Sequence, residues 1–261
     1  MKGVYSSPDS IMGTETQLAL FPDNTYGVDS GGNPRDIPNL TFKQFKEFHS
    51  SYYHPANSRI YFYGDDDPVK RLELLDEYLR DFDAIPVDSH IQYQKKIETP
   101  KRIQVEFPVQ EDTTPKHMLT VNWVLNHKEL PSKENLAISV LNHLLLATPS
   151  SPLRKILTES QLGESVTGGG LSDELLQATF SVGLKGVTQD NCEKVEQLVL
   201  STLKDLSKTG FDEMDIKASL NTIEFSLREF NTGSFPRGLS LMLGILGQRI
   251  YDKVFYYDSI F

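Results

Sequence analysis

The sequence predicts an α+β protein in which antiparallel sheets carry helices packed on one face, arranged as two successive half-units. Three observations carry that expectation. Residues 103–107 and 119–125 alternate apolar and polar with period two, as half-buried strands do. Residues 188–207 place apolar side chains at i, i+3, i+4 and i+7, the period of an amphipathic helix. After residue 100 the patterns run β-β-α-α-β-β-α-α, which sets antiparallel strands beside a helical layer.

The elements of the first half-unit follow from local chemistry. Ser7 before Pro8 predicts a helix start and a helix to about residue 20, because proline at the first helical position loses no hydrogen bond. Residues 21–39 hold Pro22, Gly27, Gly31, Gly32, Pro34 and Pro38 and read as loop. Thr41 with Gln44 forms a capping-box pair and opens a helix. Phe42, Phe45, Phe48 and Tyr52 follow at helical spacing, and Pro55 forbids continuation. Arg59–Tyr63 is expected to be a short buried strand that Gly64 ends. Asp67-Pro68 then starts a helix with Leu72, Leu75, Tyr78, Leu79 and Phe82.

Residues 86–100 read as a linker, mixing prolines, lysines and isolated apolar residues without periodicity. Strands are expected at Ile103-Val105-Phe107 and at Leu119-Val121-Trp123-Leu125. A helix from Ser132 to about Ala147 carries Leu136, Val140, Leu141 and Leu144, and a shorter one begins at Ser151-Pro152. Val166–Gly170 and Leu175–Leu184 form a strand pair around Ser172-Asp173. The amphipathic helix of 188–207 is closed by Gly210, and Phe211–Phe230 makes one more. The apolar Tyr256–Phe261 stretch reads as interrupted rather than terminal.

Composition narrows the function. The 261 residues hold 26 Lys plus Arg against 36 Asp plus Glu, a net charge of −10. That balance argues against nucleic acid or an anionic membrane as main partner. No stretch approaches the roughly 20 consecutive apolar residues of a membrane span. The single cysteine, Cys192, excludes an internal disulfide and a multi-cysteine zinc site. No targeting segment is visible at the start.

Catalytic motifs are missing. The six histidines, His49, His54, His90, His117, His127 and His143, form neither His-Glu-x-x-His nor His-x-x-Glu-His. Gly27-Val-Asp-Ser-Gly31 has the wrong spacing for a nucleophile elbow, and no glycine run precedes Lys-Ser/Thr as in a phosphate loop. Cys192 falls in the first turn of a helix, where a thiol pKa can drop, but reads as a small structural residue. Asp65-Asp66-Asp67 lacks the ligand ladder of a calcium loop and reads as a turn plus a helix cap. Asn39-Leu-Thr41 matches a glycosylation sequon by pattern, with Thr41 already explained as a cap. No catalytic residue and no metal ligand is assigned.

Gly168-Gly-Gly170 is the exception to routine structure. Three glycines are costly inside a strand, since each loses backbone entropy and packs nothing. On the residues alone two readings stand: a flexible turn, or a bare strand edge that another backbone can approach.

Linked blocks then point to a family. Thr25-Tyr-Gly-Val-Asp-Ser-Gly-Gly32, Ile37-Pro-Asn-Leu-Thr41, Phe45-Lys-Glu-Phe-His49, Tyr53-His-Pro-Ala-Asn57 and Tyr63-Gly-Asp-Asp66 resemble the presequence-protease branch of the pitrilysin/insulinase-type zinc metallopeptidases. The opening Met1–Asp9 is similar to the plant organellar members. The resemblance spans the chain, strongest over 1–82. It implies two pitrilysin-like half-units: residues 1–85 as the C-terminal remainder of the catalytic domain, 86–100 as linker, and 101–261 as a second, non-catalytic domain incomplete at its end. It implies that the family's His-x-x-Glu-His and third Glu ligand lie before Met1, so that the chain is an internal fragment without its zinc. It further implies that Gly168, Gly169 and Gly170 lie on an edge where unfolded peptides add as a strand.

The leading expectation is therefore part of a zinc metalloendopeptidase that degrades cleaved targeting presequences in mitochondria or chloroplasts. This chain would supply scaffold, chamber wall and a substrate-pairing edge, with unstructured peptides and the enzyme's remaining domains as partners. The alternative is a non-catalytic peptide- or partner-binding module, or a bare structural domain pair.

Overall fold

A computed structural model describes residues 3–108 and 116–249. The chain divides into two compact units, each taken by itself below. One joins the residues up to Val28 to Tyr93–Asn231; the other joins Asp29–Gln92 to the described residues from Thr232 onward. The Tyr256–Phe261 stretch lies outside the described residues.

In the first unit, helix α1 (Pro8–Leu20) starts as its sequence dictates. The Ser7 side chain accepts the Ser10 amide and Pro8 occupies the first position. Strands β1 (His117–Val124), β2 (Ser165–Ser172) and β3 (Thr179–Val187) form an antiparallel sheet in the order β1-β3-β2. Helix α4 (Ser132–Asn142) runs into a π-helical turn, His143–Ala147, and α5 (Pro152–Glu159) follows. Helices α6 (Cys192–Thr209) and α7 (Glu213–Glu229) complete the unit, and Gly210 closes α6 with φ of 71°.

Register explains the core. Leu119 faces Leu184, Val121 faces Val182 and Trp123 faces Phe180, so each pair stacks on the same side of the sheet. There they meet Leu145, Leu153 and Leu157 from the helices before β2 and Val195 and Val199 from α6. Burying a Leu or Val side chain stabilises by about 1.5–3 kcal/mol, so this layer is the main source of cohesion. The alternate β residues turn to α1: Thr120 Oγ1 lies 3.6 Å from Met12 Sδ, and Lys185 Nζ lies 3.7 Å from Asp9. The expected helical layer is thus present, and α1 is placed on the sheet's other side.

Residues 132–159 include an 18-residue window apolar enough, by composition, to cross a membrane. The chain turns at 148–151 instead, where Thr148 and Ser151 cap one another through side-chain oxygens 3.1 Å from the reciprocal amides. Leu145, Leu153 and Leu157 are spent on the core.

In the second unit, α2 (Phe42–Tyr52) begins with the full capping box of Thr41 and Gln44. Helix α3 (Pro68–Leu79) begins at Asp67, which accepts the Val69 amide at 2.9 Å. Helix α8 (Arg237–Arg249) lies near the end of the described chain. The expected strand at Arg59–Tyr63 is not formed, and Ile60 is 51% exposed. The same correction applies in the first unit to Ile103-Val105-Phe107, which joins no strand, with Ile103 57% exposed. Alternation gives a segment two faces, but a strand also needs a neighbour's amides and carbonyls. The apolar stripe of α2 is likewise uncovered: Phe42 is 76% exposed.

Candidate functional site

The three glycines fall inside β2, the edge strand, and not in the turn that follows it. The residues on either side pair normally with β3: Thr167 faces Gly183 and Gly170 faces Ser181. Two residues, Gly168 and Gly169, therefore oppose the single Val182, which makes a β-bulge. All three glycines have positive φ, 106°, 80° and 75°, a region L-residues with a Cβ rarely adopt.

Each glycine answers a different demand. A Cβ on Gly168 would lie 2.7 Å from the Ser181 carbonyl and from Val182 Cα, so the bulge can approach β3 only without a side chain. A Cβ on Gly170 would lie 2.4 Å from Asn142 Oδ1 and 3.2 Å from Leu146 Cδ1. Gly169 alone faces open space and is exposed.

The edge is not bare along its whole length. Asn142, at the end of α4, accepts the Leu171 amide at 3.0 Å through its side-chain oxygen. Two helical turns earlier Asn135 donates to Asp173 Oδ2 at 3.1 Å, leaving its own oxygen buried without a partner. Helix α4 thus runs antiparallel beside the C-terminal end of β2. These asparagines were not singled out from the sequence. Their signal is two amides seven apart at the ends of an apolar run broken only by Ser139, which puts them on one face.

A buried amide network anchors the loop between β2 and β3. Gln177, fully buried, holds the Gln94 amide with its oxygen and donates to the Gln94 and Asn126 carbonyls at 3.2 and 2.6 Å. Asn126 in turn accepts the Ala178 amide at 2.7 Å, and Gln94 accepts the Asp23 amide at 2.9 Å. Tyr26 adds its hydroxyl, which accepts the Leu176 amide at 3.2 Å.

The other sequence candidates are placed apart. His54 Nδ1 accepts the Ala56 amide at 3.1 Å, and His49 stacks on Tyr53. His143 Nδ1 sits 3.0 Å from Ser219 Oγ, joining the π turn to α7. Asp66 is paired with Arg71, and that hydrogen bond holds its carboxyl below the usual carboxylate range. Cys192 is half-buried at the start of α6, and desolvation pushes its thiol pKa up rather than down. Among the described residues no group of three or more His, Cys, Asp or Glu comes together to hold a metal.

Comparison with known proteins gives this arrangement a context. A family model described as the peptidase M16 inactive domain matches residues 39–223. The chain is 59% identical over 256 residues to "Presequence protease 1, chloroplastic/mitochondrial" of Arabidopsis thaliana, covering 97% of this chain and 24% of that protein. It is 30% identical to "Presequence protease, mitochondrial" of Danio rerio, over 97% of this chain and 25% of that one. The chain therefore spans about a quarter of the length of these relatives. Its fold is similar to the solved peptidase M16 inactive domain from Pseudomonas fluorescens, with a TM-score of 0.70 at 19% identity over 96% of this chain and 57% of that one.

Proposed function

Because the chain belongs to the peptidase M16 inactive-domain family, we propose that it is the non-catalytic, peptide-pairing part of an organellar zinc metalloendopeptidase that degrades targeting presequences. The observation that carries this reading is the β2 edge, where Gly169 faces open space beside a bulge. Main-chain pairing at such an edge recognises backbone and tolerates varied side chains, which suits diverse unstructured peptides. The names of the relatives, chloroplastic/mitochondrial and mitochondrial presequence proteases, support a chloroplast or mitochondrial location. Residues 1–85 are read as the remainder of the catalytic domain, 86–100 as linker and 101–261 as the second peptidase-like domain. The uncovered apolar face of α2 supports further domains as partners.

Zinc is implied by the resemblance, and the residues present do not fit it. His54 Nδ1 accepts an amide and His143 Nδ1 sits against a hydroxyl, and among the described residues no group of three or more His, Cys, Asp or Glu comes together. No catalytic step is assigned to this chain's own groups; its part is to bind and orient a strand.

The test is binding of a short unstructured presequence-like peptide to wild type, Gly169→Val and Gly169→Pro, with folding checked by circular dichroism. Valine obstructs the approach and proline also removes a donor. Losing a net hydrogen bond of about 0.5–1.5 kcal/mol weakens binding several-fold. Two folded variants that bind like wild type would overturn the reading.

A further inference from the structure

We propose that Asn142 is the end-stop of the β2 edge: its side-chain amide stands where the next strand would be at Leu171, so an added peptide pairs before Gly170 and ends there. This inference rests on the peptide-pairing reading and adds the residue that sets where pairing terminates.

Leu171 faces Phe180 on β3, yet its amide donates to Asn142 Oδ1 at 3.0 Å. In an antiparallel ladder, residues alternate between bonding the neighbour strand and pointing away from it. Leu171 is an outward position, and its donor is the group an incoming strand would use. Asn142 supplies a carbonyl in that place, as a strand would.

Two further features make this contact a built one. Gly170 leaves room for it, since a Cβ there would fall 2.4 Å from Asn142 Oδ1. Leu146, one turn on within the π segment, closes over the same glycine, its Cδ1 being 3.2 Å from that Cβ position. Asn135 grips Asp173, just past the end of β2, so α4 flanks the chain from Gly170 onward. Before Gly170, β2 is the outer strand of the sheet and Gly169 is exposed. The glycine bulge therefore divides one edge into an open part and a plugged part.

The ligand class is the main chain of an unstructured peptide. The end-stop acts as a ruler: it fixes how far along β2 such a peptide reaches. Asn142 is a positioning residue and touches no reacting group.

The experiment follows amide hydrogen exchange, residue by residue, in the full chain with and without a synthetic peptide rich in alanine, serine and lysine. In free wild type the Leu171 amide is protected. Asn142→Ala removes its acceptor and speeds exchange there roughly three- to tenfold, the equivalent of one net hydrogen bond. Asn142→Asp keeps an acceptor and retains protection. With peptide bound, wild type gains protection within 165–169 only, whereas Asn142→Ala also gains it at Leu171. Gly170→Ala displaces the same amide from the other side and gives the Asn142→Ala pattern, so the test stands if either variant fails to fold. A peptide footprint that reaches Leu171 equally in wild type and Asn142→Ala overturns the end-stop alone. Peptide that protects no amide within 165–170 overturns the edge reading and the end-stop with it, even where Leu171 protection still depends on Asn142.

Discussion

Gln94 and Gln177, 83 residues apart, meet in a reciprocal pairing: the Gln94 amide donates to the Gln177 side-chain oxygen, and Gln177 Nε2 returns a bond to the Gln94 carbonyl at 3.2 Å. A buried side chain here satisfies both polar groups of a distant backbone residue, as a neighbouring strand would. Gln177→Ala would strand the Gln94 amide and the Asn126 carbonyl in a dry interior. Each buried group left unpaired costs about 1–3 kcal/mol. Denaturant unfolding should show a loss at or above that single-group range; a loss below 0.5 kcal/mol, the approximate floor for one net bond, would refute the network's structural role.

The three glycines should differ in what they tolerate. Gly168→Ala presses a methyl against the β3 backbone and forces a positive φ, so it should disrupt the β2–β3 ladder. Gly169→Ala meets no neighbour and pays only the left-handed backbone strain, about 1–2 kcal/mol. Thermal unfolding of the two variants checks the order. Equal destabilisation would mean the bulge is not closely packed.

Cys192 should be a slow nucleophile despite its place at a helix start. Desolvation raises its thiol pKa, so the thiolate is scarce at neutral pH. Iodoacetamide labelling should run slower than for a free cysteine at the same pH, and its rise with pH should fall at higher pH than a free cysteine's. Labelling at a model thiol's rate near neutrality would contradict this.

The Asp66–Arg71 pair should respond to acid. Its hydrogen bond lowers the Asp66 pKa below 3.8, so the folded state holds fewer protons there than the unfolded chain. The pair's contribution is present above that value and is lost as pH falls through the lower, folded one. An NMR titration of the Asp66 carboxyl should show a midpoint below 3.8 that returns towards it in Arg71→Met. An unshifted wild-type midpoint would remove the pair from the account.

The chain by itself should retain no stoichiometric zinc. Among the described residues its His, Cys, Asp and Glu side chains form no group able to hold a metal. Elemental analysis after dialysis against zinc at micromolar free concentration is the measurement, and one tightly held ion per chain would defeat the expectation.

What the sequence by itself determined is the set of features governed by neighbours in the chain. Ser7 with Pro8, Thr41 with Gln44, and Asp67 with Pro68 open helices where they are expected, because a cap needs only residues a few places away. Gly210 ends α6 for the same reason, and the alternation of β1 puts Val121 and Trp123 on the core side. Pairing was beyond it. Arg59–Tyr63 and Ile103–Phe107 carry strand-like patterns yet stay unpaired, since a ladder requires donors and acceptors from another segment. The glycine run was visible as unusual, but only tertiary structure separated its members: the β3 backbone demands Gly168, the Asn142 side chain demands Gly170, and open space is left to Gly169. Those demands come from Ser181 and Asn142, outside the strand that holds the glycines, and folding alone brings them within a few ångströms.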